Sequence, residues 1–372
     1  MRIVHATDLH VDHGRHSWRL SNGDQSAAAS MRRVLDAIAG HTIANDAALM
    51  VTGDCWMTAN PRPEHVGMVA DMVDRVAAAG LPVVFIGGNH ELRGRHHGHR
   101  NPLDLLEAHG AHVATGDVSI CRLPDGTPIV CAPWPDPTTA TGDLADHHAE
   151  LSARLAGQIE HAAGQVDGGV FGGHLVADFA AVGVGVRGTE LTFGAIANEP
   201  VVATELLESG PWCVAALGHV HEPQQRGTVF YGGSPDRLDF AEERHDKAVT
   251  LIDPDTGGTT RLPTPARRLV TLTGDDIDSA ITVAGDLADT VVRVVLPAGV
   301  ARLDDEHRRR IVAAGGRITR VETPRVARSR ATPVRADAAR PVTDLFADWA
   351  ATKKITPDGY LGAVRTLTGV DR

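Results

Sequence analysis

The sequence predicts an α/β fold, and three observations carry that prediction. Short apolar strand candidates alternate with helical or polar stretches from residue 1 to about residue 265. Several of those strands end in a glycine followed by a side chain that can hold a metal. Histidine is abundant, 20 in all, and recurs at those strand ends. Strand–helix alternation is the pattern of sheets with helices on their faces, and functional groups in such sheets gather at the carboxyl ends of strands.

Element by element, RIVHAT reads as the first strand and SAAASMRRVLDAIAGHTIA as a helix. ALMVTGD is a second strand. PEHVGMVADMVDRVAAAG has helical apolar spacing and stops on glycine. Its stripe of Val66, Val69, Ala70, Val73 and Val76 suits either the chain's own sheet or a second copy. LPVVFIGGNH follows as a strand, and SICRLPDGTPIVCAPW as a hairpin turning at Asp125-Gly126. GGVFGGH, CVAALGHVH and GTVFYGGS are further strand-then-glycine units, and AVTLIDPDTGGTTRLPTP is a closing hairpin. A second region, 266–323, reads as a compact β-α-β module: TVVRVVLP, LDDEHRRRIVAAGG and RITRVETP. Residues 324–341 form an Arg-rich linker. Residues 342–372 carry two amphipathic helix candidates, with Leu345, Phe346 and Trp349 on one face.

Composition narrows the function classes. The formal net charge is −11, so any nucleic-acid-binding surface must be local. Residues 302–340 hold eleven Arg against five acids, which marks a solvated linker or a phosphate- or partner-contacting segment. The amino terminus has no long apolar h-region, and no apolar run is long enough to span a membrane. The four cysteines form no C-x-x-C pair, which leads to the expectation of a reduced, cytoplasmic compartment.

Five segments share one grammar: ATDLH (Asp8, His10), VTGD (Asp54), IGGNHE (Asn89, His90), FGGH (His174) and LGHVH (His219, His221). A glycine before a ligand lets the backbone turn sharply or approach an ion closely. His219 and His221 stand two apart, and in an extended strand such residues project to the same side, a poor way to build a core and a good way to build a metal site.

In this order the five segments resemble the calcineurin-like binuclear metallophosphoesterases. The stretch VFYGGSPDRLDFAEERHDKAVTLID further resembles the corresponding segment of SbcD-type nucleases. The resemblance implies a four-layer αββα sandwich over 1–265, a small β-α-β DNA-capping domain at 266–323, and a C-terminal helical tail that binds an SbcC-type coiled-coil ATPase. It implies that Asp8, His10 and His221 hold one divalent metal, that Asn89, His174 and His219 hold a second, and that Asp54 bridges the two, with Mn²⁺ favoured. It gives His90 a catalytic role, facing the scissile phosphate as proton donor or transition-state stabiliser. The implied reaction is hydrolysis of a phosphodiester in DNA by a hydroxide activated between the two metals, as an exonuclease on duplex ends and an endonuclease on single strands or hairpins in repair and recombination. Homodimerisation through the helices after the GD and GNH motifs is also implied. Two departures stand out: GDCWM where the family often has G-D-L-F-D, and GNHE for the commoner GNHD, where Glu91 is expected only to orient His90. Arg93, Arg95 and Arg100 are candidate DNA-backbone contacts, and His13 a candidate substrate contact. The alternative reading is a small-molecule metallophosphodiesterase of the cyclic-nucleotide type, which needs neither the capping module nor the tail.

Overall fold

The computed structural model describes residues 1–14, 16–20, 25–92, 101–140, 144–182, 191–192, 199–273, 279, 281–282 and 285–323. One compact unit spans Met1–Glu322, and a second begins at Thr323. The expected linker at 324–341 and helices at 342–372 therefore lie outside the described residues.

The first sheet is built from β1 (Ile3–Ala6), β2 (Ala48–Thr52), β3 (Val83–Ile86) and β4 (His112–Ala114), all parallel. Between these strands run α1 (Ser26–Ala44) and α2 (Pro63–Ala78). The second sheet contains β5 (Ser119–Arg122), β6 (Pro128–Ala132), β7 (Val170–His174), β8 (Val214–Gly218), β9 (Gln224–Arg226) and β10 (Val229–Tyr231), in the order β9-β10-β8-β7-β6-β5. Helix α3 (Leu144–Ala163) precedes β7, and the short α4 (Thr204–Glu208) precedes β8. β11 (Ala248–Ile252) and β12 (Thr259–Pro263) then return to the first sheet, where β11 lies antiparallel to β1.

Strand alternation explains the layering. Val4, Leu49 and Val51 face one way and pack with Val34, Ile38, Val69 and Val73 of the two helices. Ile3, Ala48 and Met50 face the other way and meet Ile129, Cys131, Val170 and Ala216 of the second sheet. The far face of that second sheet, with Val130, Phe171 and Leu217, packs on Leu155 and Ile159 of α3. The layers are helix, sheet, sheet, helix, as expected. The α2 stripe is settled by the same packing: Val69, Val73 and Val76 are fully buried against the chain's own core, so they do not form a surface for a second copy.

The 266–323 region differs from the β-α-β expectation by one strand. β13 (Leu269–Thr273), β14 (Val291–Val295) and β15 (Arg317–Glu322) make a parallel three-stranded sheet, with α5 (Asp305–Ala313) before β15. Its apolar core contains Leu272, Val292, Val294 and Ile311. Among the described residues no helix is long and apolar enough to cross a membrane.

Candidate metal centre

The carboxyl ends of β1, β2, β3, β7 and β8 converge. The loops after β1 and β2 are zipped together by backbone bonds from Asp8 N to Gly53 O (3.1 Å), His10 N to Asp54 O (2.9 Å) and Val11 N to Cys55 O (2.8 Å). Asp8, His10, Asp54 and His219 all hold left-handed φ values, of 52°, 43°, 54° and 91°. Such backbone strain in non-glycine residues persists where the surrounding structure over-determines it, and it clusters at functional sites. A side chain at Gly53 would strike the His174 ring at 2.2 Å, and one at Gly88 would strike Asp54 Oδ1 at 2.2 Å, so the glycines in VTGD and IGGNH are required by close approach.

Among the described residues the ligand candidates fall into three clusters whose donor atoms lie within 4.8 Å of one another: Asp8, His10 and His221; Asp54, His174 and His219; and His10, Asp54 and His90, which shares one member with each of the others and brings His90 to the same centre. In the first, His10 Nε2 lies 3.3 Å from His221 Nε2, and His221 Nε2 lies 3.7 Å from Asp8 Oδ1. In the second, His174 Nε2 lies 3.5 Å from Asp54 Oδ1 and 3.0 Å from Asn89 Oδ1, which is 3.3 Å from His219 Nδ1. Asp54 stands between them: its Oδ1 faces His174 while its Oδ2 faces His10 at 3.7 Å and His90 at 3.8 Å. A carboxylate with one oxygen toward each cluster has the placement a bridging ligand needs.

His219 and His221 reach the centre differently from the strand expectation. β8 ends at Gly218, and the left-handed turn at His219 sends the two rings apart. His219 points to Asn89 and stacks on Trp134 at 4.8 Å between ring centroids, while His221 points to Asp8 and His10.

The donor set fits a pair of divalent cations. It mixes carboxylate, amide and imidazole donors, which suits manganese or iron. Two imidazole nitrogens face each other at 3.3 Å, each with a carboxylate oxygen 3.7 Å away, and buried His10 Nδ1 has no hydrogen-bond partner. Burial holds the His10 ring well below its ordinary value, hence neutral. For His174 burial acts in the same direction, but the Asp54 charge outweighs it and pushes the ring up to about 10. Asp54 itself is held well below the carboxylate range, its burial outweighed by His174, His10 and His90. The His174 Nδ1 contact to Thr52 O at 2.8 Å makes that nitrogen the donor and directs Nε2 into the centre.

His90 Nδ1 donates to the Met57 carbonyl at 2.8 Å, which turns Nε2 toward Asp54. Glu91 does not orient His90. It is wholly buried and accepts backbone N–H bonds from Asp54 (3.0 Å), Trp56 (3.2 Å) and Gly88 (2.8 Å), thereby holding the β2 and β3 loops together. Burial, followed by the nearby Asp54 charge, pushes its carboxyl up to about 7. The departures Cys55 and Trp56 are both fully buried in the core behind this loop. His13 is buried and lines a cavity of about 620 Å³ with Asp12, Arg32, Arg62 and His65. Arg93, Arg95 and Arg100 lie outside the described residues.

Trp134, Glu199 and Glu242 are site-adjacent groups that the motif reading does not assign to the centre. Glu199 sits 3.1 Å from His219 Nε2, and Glu242 sits 2.9 Å from His221 Nδ1. No spacing rule announces them, because each acts on a neighbour brought close by the fold.

The family model described as calcineurin-like phosphoesterase matches residues 1–249. A DNA double-strand break repair protein Mre11 from Methanopyrus kandleri is 24% identical over 110 residues, 30% of this chain and 23% of that protein, so the chain matches under a quarter of that relative's length. A crystal structure of a dimetal phosphatase from Danio rerio superposes with a TM-score of 0.40 at 11% identity, covering 68% of this chain and 91% of that one. With the family model matched over most of the length and the strand ends converging as described, the chain belongs to the calcineurin-like phosphoesterases, a family of metal-dependent hydrolases.

Proposed function

We propose that this chain is a Mn²⁺-dependent DNA nuclease of the SbcD type, acting on duplex ends and on single strands or hairpins with a coiled-coil ATPase partner. The observation that carries the chemistry is Asp54, whose two carboxylate oxygens face two separate ligand clusters. Support for DNA as substrate comes from the local likeness to the Mre11 protein and from the SPDRLDFAEE segment, which seats a third sheet beside the centre. In this reading residues 266–323 cap the DNA, 324–341 form a basic linker, 342–372 dock the ATPase, and the subunit works as a homodimer in the cytoplasm.

Asp8, His10 and His221 would hold one cation, and Asn89, His174 and His219 the other, with Asp54 shared. Bound there, two divalent cations supply charge neutralisation at the phosphate and activation of the attacking nucleophile. The chain's own residues do the rest. Met57 O fixes the His90 ring, so His90 Nε2 is aimed at the space beside Asp54 where a phosphate would sit. From there His90 Nε2 would hand a proton to the departing oxygen as the phosphodiester bond breaks. Its backbone N–H donates to Asp54 Oδ1 at 2.9 Å, so the acid and the shared carboxylate keep one geometry.

The test is cleavage of end-labelled linear duplex DNA with Mn²⁺, comparing wild type with Asp54→Ala and His90→Gln. Wild type shortens the DNA. Asp54→Ala abolishes cleavage and lowers Mn²⁺ uptake. His90→Gln keeps Mn²⁺ uptake and loses about 10²–10⁴-fold in rate. Hydrolysis of a small phosphodiester without DNA cleavage, even with the ATPase present, would instead assign the chain to the small-molecule phosphodiesterases.

A further inference from the structure

The SPDRLDFAEERHDK segment forms a buried polar network against the back of His221. Glu242 is at the end of a short 3-10 helix, Phe240–Glu242, and is 7% exposed. Its Oε1 lies 2.9 Å from His221 Nδ1. Its Oε2 accepts from Lys247 Nζ at 2.6 Å and Leu238 N at 3.3 Å, and lies 3.1 Å from Ser234 Oγ, whose one hydroxyl hydrogen is shared between it and the Asp236 carbonyl at 2.9 Å. Lys247, 5% exposed, also donates to Ser234 Oγ at 2.7 Å and to the His221 carbonyl at 3.3 Å. The loop carrying the histidine is held by Ser234 N to His221 O at 3.2 Å. One carboxylate thus grips the ring, and the lysine grips both that carboxylate and the ring's own backbone.

We propose that Glu242 is a positioning residue for the metal centre: held by Lys247 and Ser234, it keeps the His221 proton on Nδ1 and aims Nε2 at Asp8 and His10. The argument is one of donors and acceptors. An ionised carboxylate only accepts, so Nδ1 must be the donor, and the Nε2 lone pair is left for the site. Outer carboxylates of this kind fix a ligand's tautomer and orientation and raise its basicity. Lys247 leaves the carboxylate one rotamer, because two of its Oε2 partners, Lys247 and Ser234, are themselves bonded to each other. The same short helix contacts the third sheet, since Phe240 packs with Leu269 and Val291 and lies under the Arg293 guanidinium, 4.8 Å from ring centroid to Cζ. The grip on His221 is therefore continuous with the seat of that sheet.

The inference rests on the two-cation reading of the site, and the experiment separates the two. Two full-length variants are compared with wild type. Glu242→Leu with Lys247→Met removes both charges together, so no lone charge is left buried. Glu242→Gln keeps an oxygen that can accept from Nδ1 while its amide NH2 faces Lys247 Nζ, so it tests the Nδ1 contact without the lysine's grip. The first readout is the His221 tautomer in metal-free protein at alkaline pH, from ring ¹⁵N NMR shifts; the second is Mn²⁺ binding by calorimetry. Wild type shows a single Nδ1–H tautomer and two Mn²⁺ sites. The double variant shows mixed tautomers, one Mn²⁺ site weakened about 10–100-fold, and the other site unchanged. Glu242→Gln restores the Nδ1–H tautomer, with the same Mn²⁺ site of intermediate affinity. A folded double variant with wild-type tautomer and wild-type Mn²⁺ binding overturns the proposal. If wild type takes up no Mn²⁺, the two-cation reading fails, and the tautomer measurement still decides whether Glu242 positions His221.

Discussion

His5 shows how much a single residue below the centre can contribute to the protein's response to pH. Within β1, Val4 and Ala6 face the helices, so His5 points between the sheets, edge-on to Phe230 at 5.7 Å. Its Nε2 meets Thr52 Oγ1 at 2.7 Å, and its Nδ1 has no hydrogen-bond partner. Burial, helped by Arg261, pushes the ring from 6.5 down to about 3, so it is neutral in the fold. The unfolded chain takes up the proton first. Stability is then unaffected above about pH 6.5 and falls as pH drops toward 3, by on the order of 4 kcal/mol across that window. Urea midpoints between pH 7 and pH 4 should fall less steeply for His5→Gln than for wild type; equal slopes would mean His5 does not titrate on unfolding. At this scale the ligand candidates were legible because each follows an apolar strand and most follow a glycine. The groups that hold them were not. Glu91 and Glu242 act on a backbone amide or a ring brought near only by folding, and a carboxylate in that role looks like any other acid in sequence.

At the scale of elements, the centre depends on loops rather than on strands. Glu91 joins the β2 and β3 loops through three backbone N–H bonds, two to Oε2 and one to Oε1. Glutamine would present a donor to at least one of those N–H groups. Glu91→Gln should therefore lower stability by about 1–3 kcal/mol in chemical denaturation, and Mn²⁺ uptake should fall with it. An unchanged midpoint would show that these bonds are not holding the loops. The same dependence on loops explains why His219 and His221 diverge despite standing two apart, since alternation applies only while the strand continues and β8 stops at Gly218. Most of the other strands and helices up to about residue 265 were readable, β4, β9 and the short α4 excepted. Helix α3 is not among the elements expected from sequence, although Leu151, Leu155, Ile159 and Ala162 recur at helical spacing and are buried. Nor is β13, because LVTLT is short and polar on one face.

Across the whole molecule, the third sheet is tied to the phosphoesterase layers by a buried ion pair. Arg267 Nε lies 3.1 Å from Asp236 Oδ2, its backbone N–H donates to Asp236 Oδ1 at 2.6 Å, and Arg237 donates to the Arg267 carbonyl at 2.8 Å. Asp236→Ala leaves Arg267 without its carboxylate and should cost about 3–5 kcal/mol. Limited proteolysis should then open the 266–323 region first, and an unaltered digestion pattern would count against this tie. The family segment GSPDR is thus legible in sequence as a likeness, while its physical work, joining His221 to another sheet, is visible only in three dimensions. The placement of β11 also has a consequence in time. It pairs with β1, Ile3 opposite Ile252, and it lies after every proposed ligand in the chain. A ribosome therefore releases the full set of ligands before the strand that closes over the first one, and before Glu242 and Lys247. The centre therefore matures only when synthesis is well past His221, once Glu242, Lys247 and β11 have all left the ribosome.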